Sequence, residues 1–273
     1  MIDLNMSKII GLIIVVAVAV GAGWFIYNDA SQNTETDFGD FISEYNADDN
    51  TDVSENDTGY NIEILPIDDI DEPSIPLPEL NQSLQFPQDF PDDARDIVKV
   101  RIEKLNEELA SDPTSFDNWL NLAIQRKIID DFEGARDIWE YLNTMFPGNS
   151  ISFRNLGDLY HFYLKDYPKS EQNFRKAIEN KPDQLSYYIN LHELYKYSYK
   201  RDTNLAIEVL FDGLKIDSTS TDILIALAIY YKEEKNDVEN AKKYYEQARD
   251  EAQKAGNTQL VGLIDGELNA LSD

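Results

Sequence analysis

One pattern is written four times between Phe116 and about Ala255, and it constrains the fold more than any other feature of the chain. Trp119, Leu122 and Ala123 open a helical phrase; Asp131, Phe132, Ala135 and Trp139 form a second, and Pro147 closes the unit. The next copy begins with Phe153, Leu156, Gly157 and Tyr160 and runs through Tyr167, Ser170, Phe174 and Ala177 to Pro182. A third has Tyr188, Leu191 and Tyr195, then Ala206, Leu210 and Gly213; the fourth has Leu224, Leu227, Ala228 and Tyr231, then Ala241, Tyr245 and Ala248. The small residues Ala135, Ser170, Ala206 and Ala241 lie 35, 36 and 35 positions apart. Such a period marks a stacked-repeat architecture, in which no unit buries its apolar face alone. The expectation is an all-α array of paired helices.

These units resemble the tetratricopeptide repeat (TPR) family in the aromatic opening, the small residue of the second helix and the closing proline. The match is good over Trp119–Pro147 and Phe153–Pro182 and looser in the third and fourth copies, which lack the proline. Because the spacing of the second helices stays regular, the extra residues are expected in the turns between paired helices. The resemblance implies a helical-hairpin solenoid whose first helices line a concave groove for extended peptides or partner helices.

Carried over residue by residue, the lining would comprise Leu120, Ile124 and Lys127 in the first repeat and Arg154, Asp158 and His161 in the second. Ile189, Glu193 and Lys196 would follow in the third, and Ile225, Ile229 and Lys232 in the fourth. Asn121, Asn155 and Asn190 recur just before the core positions Leu122, Leu156 and Leu191, whereas the fourth copy has Ala226. In related repeats an asparagine there holds a peptide backbone, its amide both donating and accepting. Each first helix also carries one base, Lys127, Arg154, Lys196 or Lys232, beside apolar residues. That composition predicts a protein or peptide partner that is acidic with apolar anchors, charge setting register and encounter more than affinity. The alternative is that these bases balance Asp158 and Glu193. The acidic linker of the chain itself, with YNIEIL and DDIDEPSIPL, is a second candidate ligand by self-docking.

Helices are expected at both ends of the repeats. Asp92, Asp93 and Asp96 sit where a helix N-terminus favours acids, and Ile97, Val98, Ile102, Leu105 and Leu109 form a stripe at helical spacing. Residues 92–110 therefore read as an opening helix. Residues 258–271, with Leu260, Leu263, Ile264 and Leu268, read as a capping helix, so that the repeat domain spans 92–273.

Upstream, after a short tail of residues 1–8, Ile9 to Tyr27 is an unbroken run of 19 residues without charge or amide. As a helix it would span about 28 Å, close to the hydrocarbon thickness of a bilayer, with Trp24 and Tyr27 at one interface. It reads as a transmembrane helix or uncleaved signal anchor, the alternative being a signal peptide cut after Ala17-Val18-Ala19, which would leave a secreted or periplasmic protein. Lys8 is the only base before Arg95, so the expected orientation is single-pass in the cytoplasmic membrane with the repeats on the extracytoplasmic side. Residues 28–91, acidic and proline-containing, read as a disordered linker with too little apolar area to offset chain ordering.

Charge then narrows the function. Of a net −28, most is upstream: residues 9–94 hold 19 acids and no Lys or Arg, whereas 95–273 hold 32 acids against 23 bases. Nucleic acid is thus not an expected partner, since phosphate binding depends on a basic surface. The chain has no cysteine and two histidines, His161 and His192, 31 positions apart, which form no local metal pair. There is no phosphate-binding glycine loop, no G-x-S-x-G elbow and no H-E-x-x-H. The expectation is a non-enzymatic protein-interaction module without catalytic residues, metal or cofactor, or alternatively a permanent structural subunit of an envelope complex.

Overall fold

Each repeat turns back on itself through one unusual backbone residue. Asp130, Lys165, Lys200 and Asn236 all have positive φ, between 50° and 60°, and each lies in the turn between the two helices of one repeat. In three of the four turns the next residue or so is an aspartate that caps the second helix. Asp131 accepts from the Gly134 N–H, Asp166 from that of Lys169 and Asp237 from that of Asn240. A carboxylate at that position satisfies an N–H that the helix leaves open and suits its positive end.

The computed structural model describes residues 77–271, which contain ten α-helices and no strand. α1 is Asp92–Ser111. The repeats pair α2 (Phe116–Ile128) with α3 (Phe132–Met145), and α4 (Ile151–Phe162) with α5 (Tyr167–Asn180). The next pairs are α6 (Leu185–Glu193) with α7 (Leu205–Ile216), and α8 (Thr221–Glu233) with α9 (Val238–Lys254). α10, Thr258–Ala270, closes the array. α6 continues as a π-helical turn, Leu194–Ser198. A π turn holds one residue more than an α turn, and it lies in the copy whose spacing is 36 rather than 35. The insertion is therefore partly inside a helix, where the sequence reading put it wholly in the turns.

The core runs along the array in two clusters, one from Val98 to Tyr160 and one from Phe174 to Leu268. Ala135, Ser170, Ala206 and Ala241 are all buried, which lets paired helices approach closely. Ser170 keeps its hydroxyl satisfied by donating to the Gly157 carbonyl at 2.8 Å. A Cβ at Gly157 would stand 2.6 Å from the buried Phe174 ring, so that ring demands glycine. The third copy has the smaller Leu210 in place of Phe174, and His192 fits opposite, donating from Nδ1 to the Ala206 carbonyl at 2.7 Å. Burial pushes His192 down to about 4, so the ring is a neutral packing residue at pH 7.

Residues 77–90 depart from the linker expected over 28–91. Leu80, Leu84, Phe86 and Phe90 pack against the first core cluster. The guanidinium of Arg126, 1% exposed, donates to Gln82 Oε1 at 3.1 Å and to the Glu79 and Leu80 carbonyls at 3.4 Å, and is ion-paired to Asp131 at 2.6 Å. Arg95 of α1 sits over the Phe86 ring and donates to the Phe90 carbonyl. A non-helical segment thus lies against α1 and α2, and the apolar spacing of Leu80, Leu84 and Phe86 is what anchors it. The expected membrane segment 9–27 and the linker before residue 77 lie outside the described residues. No helix among the described residues is long and apolar enough to cross a membrane.

Candidate peptide-binding groove

The first helices lie side by side, and a ladder of contacts one repeat apart joins each to the next. Lys127 of α2 sits over the Tyr163 ring just past α4, with Nζ 4.9 Å from its centroid. α4 and α6 are pinned at both ends: Ser150 Oγ and Tyr187 Oη are 3.1 Å apart, and His161 Nε2 and Ser198 Oγ are 2.8 Å apart. Lys196 Nζ reaches Glu233 of α8 at 2.8 Å, and Lys232 Nζ reaches Glu267 of α10 at 2.7 Å. Partners 35 to 37 residues apart follow from the repeat length, since equivalent positions on neighbouring units are spatial neighbours.

This ladder reassigns several residues expected to face a ligand. Leu120 is 8% exposed and belongs to the core cluster of the first two repeats. The side chain of Lys196 is 1% exposed and committed to Glu233. His161 is 3% exposed and bridges to Ser198; burial holds its pKa down, against the pull of Asp158. The Arg154 guanidinium bonds Asp158 Oδ2 at 3.1 Å and Asn155 Oδ1 at 3.1 Å. Three of the four bases therefore already have carboxylate partners: Arg154 pairs with Asp158, as the balancing alternative expects, whereas Lys196 and Lys232 pair with acids other than Asp158 and Glu193. Their acids include Glu233 and Glu267, which spacing within one helix could not reveal.

Ile124, Ile189, Ile225 and Ile229 are half-buried on the same helices, each with part of its side chain against the core. Asn121 is exposed, and Asn190 is half-buried with Oδ1 unpartnered. Lys127 has no carboxylate within ion-pair distance among the described residues; burial lowers its pKa, while Asp158 opposes that shift. Glu193 likewise makes no hydrogen bond or ion pair among the described residues. Burial pushes its carboxyl up to about 7, Asp158 adds to the rise, and Lys196 and Arg154 oppose it. The open polar groups are thus Lys127, Asn121, Asn190 and Glu193, framed by half-buried isoleucines. Among the described residues no three His, Asp or Glu side chains converge to hold a metal. What the face offers is ion pairing, amide hydrogen bonding and apolar contact.

No protein-family model matches the sequence, and no curated protein matches it. Solved structures do. The crystal structure of MamA has 17% identity and a TM-score of 0.50, covering 60% of this chain and 94% of that one. The likeness is one of fold. This array is an all-α solenoid of helix hairpins of the TPR type. PilF of Pseudomonas aeruginosa follows at 16% identity and TM-score 0.47, over 65% of this chain and 86% of that one. YrrB, described as a TPR protein with an unusual peptide-binding site, has 14% identity and TM-score 0.44, over 58% and 80%.

Proposed function

We propose that this protein is a membrane-tethered protein-interaction module, holding a peptide or helical segment of a partner on the face formed by α2, α4, α6 and α8. Binding is an equilibrium, and no bond is made or broken. The observation that carries the reading is the segment 77–90. A non-helical stretch already rests on the array, gripped at its backbone carbonyls by Arg126 and anchored by four apolar side chains. Further along the array the first helices present half-buried isoleucines, the unpartnered Asn190 amide oxygen and the Glu193 carboxyl, unpaired among the described residues.

In this reading Ile9 to Tyr27 anchors the chain and the residues up to 76 set reach and effective concentration at the membrane. Lys127 is the one first-helix base left for an acidic group of the partner. The exposed Ile97 and Val100 on α1 support a second reading, in which that outer face seats the array in a permanent complex. Crosslinking of the full-length protein in its native membrane, followed by mass-spectrometric identification of crosslinked sites, separates the two. Sites on the first helices with varied clients support the module; sites confined to α1 with a single fixed complex support the subunit.

A further inference from the structure

Between the two pins that join α4 to α6 lies a cluster of carboxyl and amide oxygens without hydrogen-bond partners among the described residues. Asp158, 8% exposed, is ion-paired through Oδ2 with Arg154, while its Oδ1 is buried and has no partner. Asn190 Oδ1, on the neighbouring helix, is also without a partner, and Glu193 stands one turn further along α6, free of hydrogen bonds and ion pairs among the described residues. A buried carboxylate oxygen without a hydrogen bond carries an uncompensated desolvation cost, so these atoms form an arrangement that a donor would improve. The groups around the pair do not supply one. Arg154 is already shared between Asp158 and Asn155, and Lys196 is spent on Glu233. Lys127 rests over Tyr163, and His161 uses Nε2 on Ser198.

Resting on the groove reading above, we infer that Asp158, Asn190 and Glu193 form a subsite for a basic side chain, arginine or lysine, of the bound segment. Glu193, the more exposed carboxyl, meets the cation first, and Asp158 Oδ1 and Asn190 Oδ1 accept its remaining N–H groups. A guanidinium brings five donors in a fixed fork and an ammonium three. With Lys127, two repeats before Glu193, left for an acid, the preferred segment carries an acidic group toward α2 and a basic one toward α6. That opposed pair fixes the direction in which the segment lies. Binding of the cation also favours ionised Glu193, because an adjacent positive charge stabilises the carboxylate.

The test is selection of peptides from a random library on the full-length chain. Competition by alanine substitutions at Ile189 and Ile225 sorts out those that occupy the first-helix face. In the groove-bound peptides, one Arg or Lys is to be replaced by citrulline or norleucine, and binding measured to wild type, Glu193→Gln and Asp158→Asn. We expect the replacement to weaken binding to wild type by about tenfold or more and to Glu193→Gln by less than about twofold, with a graded loss of discrimination in Asp158→Asn. Arginine against lysine at that position distinguishes the two cations. Groove-bound peptides with no basic residue, or equal losses in wild type and Glu193→Gln, overturn the subsite and leave the groove reading standing. If no selected peptide occupies the first-helix face, both readings fall.

Discussion

Glu193→Gln separates the half-buried carboxyl of the third repeat from everything else that titrates nearby. In the folded chain this group loses its proton only near pH 7, against an ordinary 4.5. Between those values the unfolded chain is ionised while the folded chain holds the proton. Stability on this account is full below about pH 4.5 and falls as pH rises through 7. At 1.36 kcal/mol per unit the loss is about 3 kcal/mol, which solvent at the half-buried carboxyl trims to about 1–3 kcal/mol. His192, one residue earlier, works in the opposite sense: held neutral to about 4, it withdraws stability as pH falls from 6.5. The two windows overlap, so the wild-type profile alone mixes them and the variant difference is the readout. Thermal or urea unfolding of both proteins at pH 4.5, 6, 7 and 8 gives it. Glu193→Gln should match wild type at pH 4.5 and exceed it by about 1–3 kcal/mol at pH 8. A difference that stays constant across that range would refute the unpaired, proton-holding carboxyl.

Removal of residues 1–91 should destabilise the array relative to removal of 1–76, because Leu80, Leu84, Phe86 and Phe90 leave core surface uncovered and Arg126 loses three acceptors. The expected cost is about 2–4 kcal/mol, confined to α1–α3 and visible as a lower first transition in melting of 92–273 against 77–273. Lys165→Gly should stabilise by about 1 kcal/mol, since lysine at φ 56° bears a Cβ penalty that glycine does not; no rise in melting temperature would contradict a strained turn. Gly157→Ala should cost about 1–3 kcal/mol despite the better helix propensity of alanine, as its Cβ meets the Phe174 ring, and calorimetry of the variant checks this. If residues 9–27 span the membrane with the repeats outside, protease added to intact spheroplasts should cut between residues 28 and 76; a chain digested only after lysis has the opposite orientation.

The repeat itself was legible because its determinants are local in pattern. Trp119, Phe174, Tyr188 and the small residues recur at a period typical of stacked helix pairs, and the opening and capping helices followed from their stripes, of which Ile97 and Leu263 nonetheless face outward. The positive-φ turns were half legible: Asp130 and Asn236 are residue types that enter that region, whereas Lys165 and Lys200 are not. The π turn left only a one-residue excess in spacing. Residues 77–90 were hidden by composition, since prolines and acids resemble a linker and their anchor is Arg126, more than 40 positions away. The face of the first helices was legible as a set of positions but not as a state of charge. Lys196 and Lys232 find acids about one repeat downstream, on helices whose relative placement only the fold supplies. By the same argument Glu193, which reads in sequence as one more balancing acid, emerges as the unpaired one.

The central claim is that a ligand segment lies on α2, α4, α6 and α8, and isoleucine methyl groups report on it from both sides of the array. Ile124, Ile189, Ile225 and Ile229 stand on the first helices, and Ile138, Ile178 and Ile207 on the second. With a selected peptide carrying a nitroxide at its centre, methyl NMR of the Ile-labelled full-length chain measures which set is broadened. The account predicts loss of the Ile189 and Ile225 signals, weaker broadening at Ile124 and Ile229, and little change at Ile138, Ile178 and Ile207. Strongest broadening at the second-helix isoleucines, with the first-helix set unaffected, would contradict it.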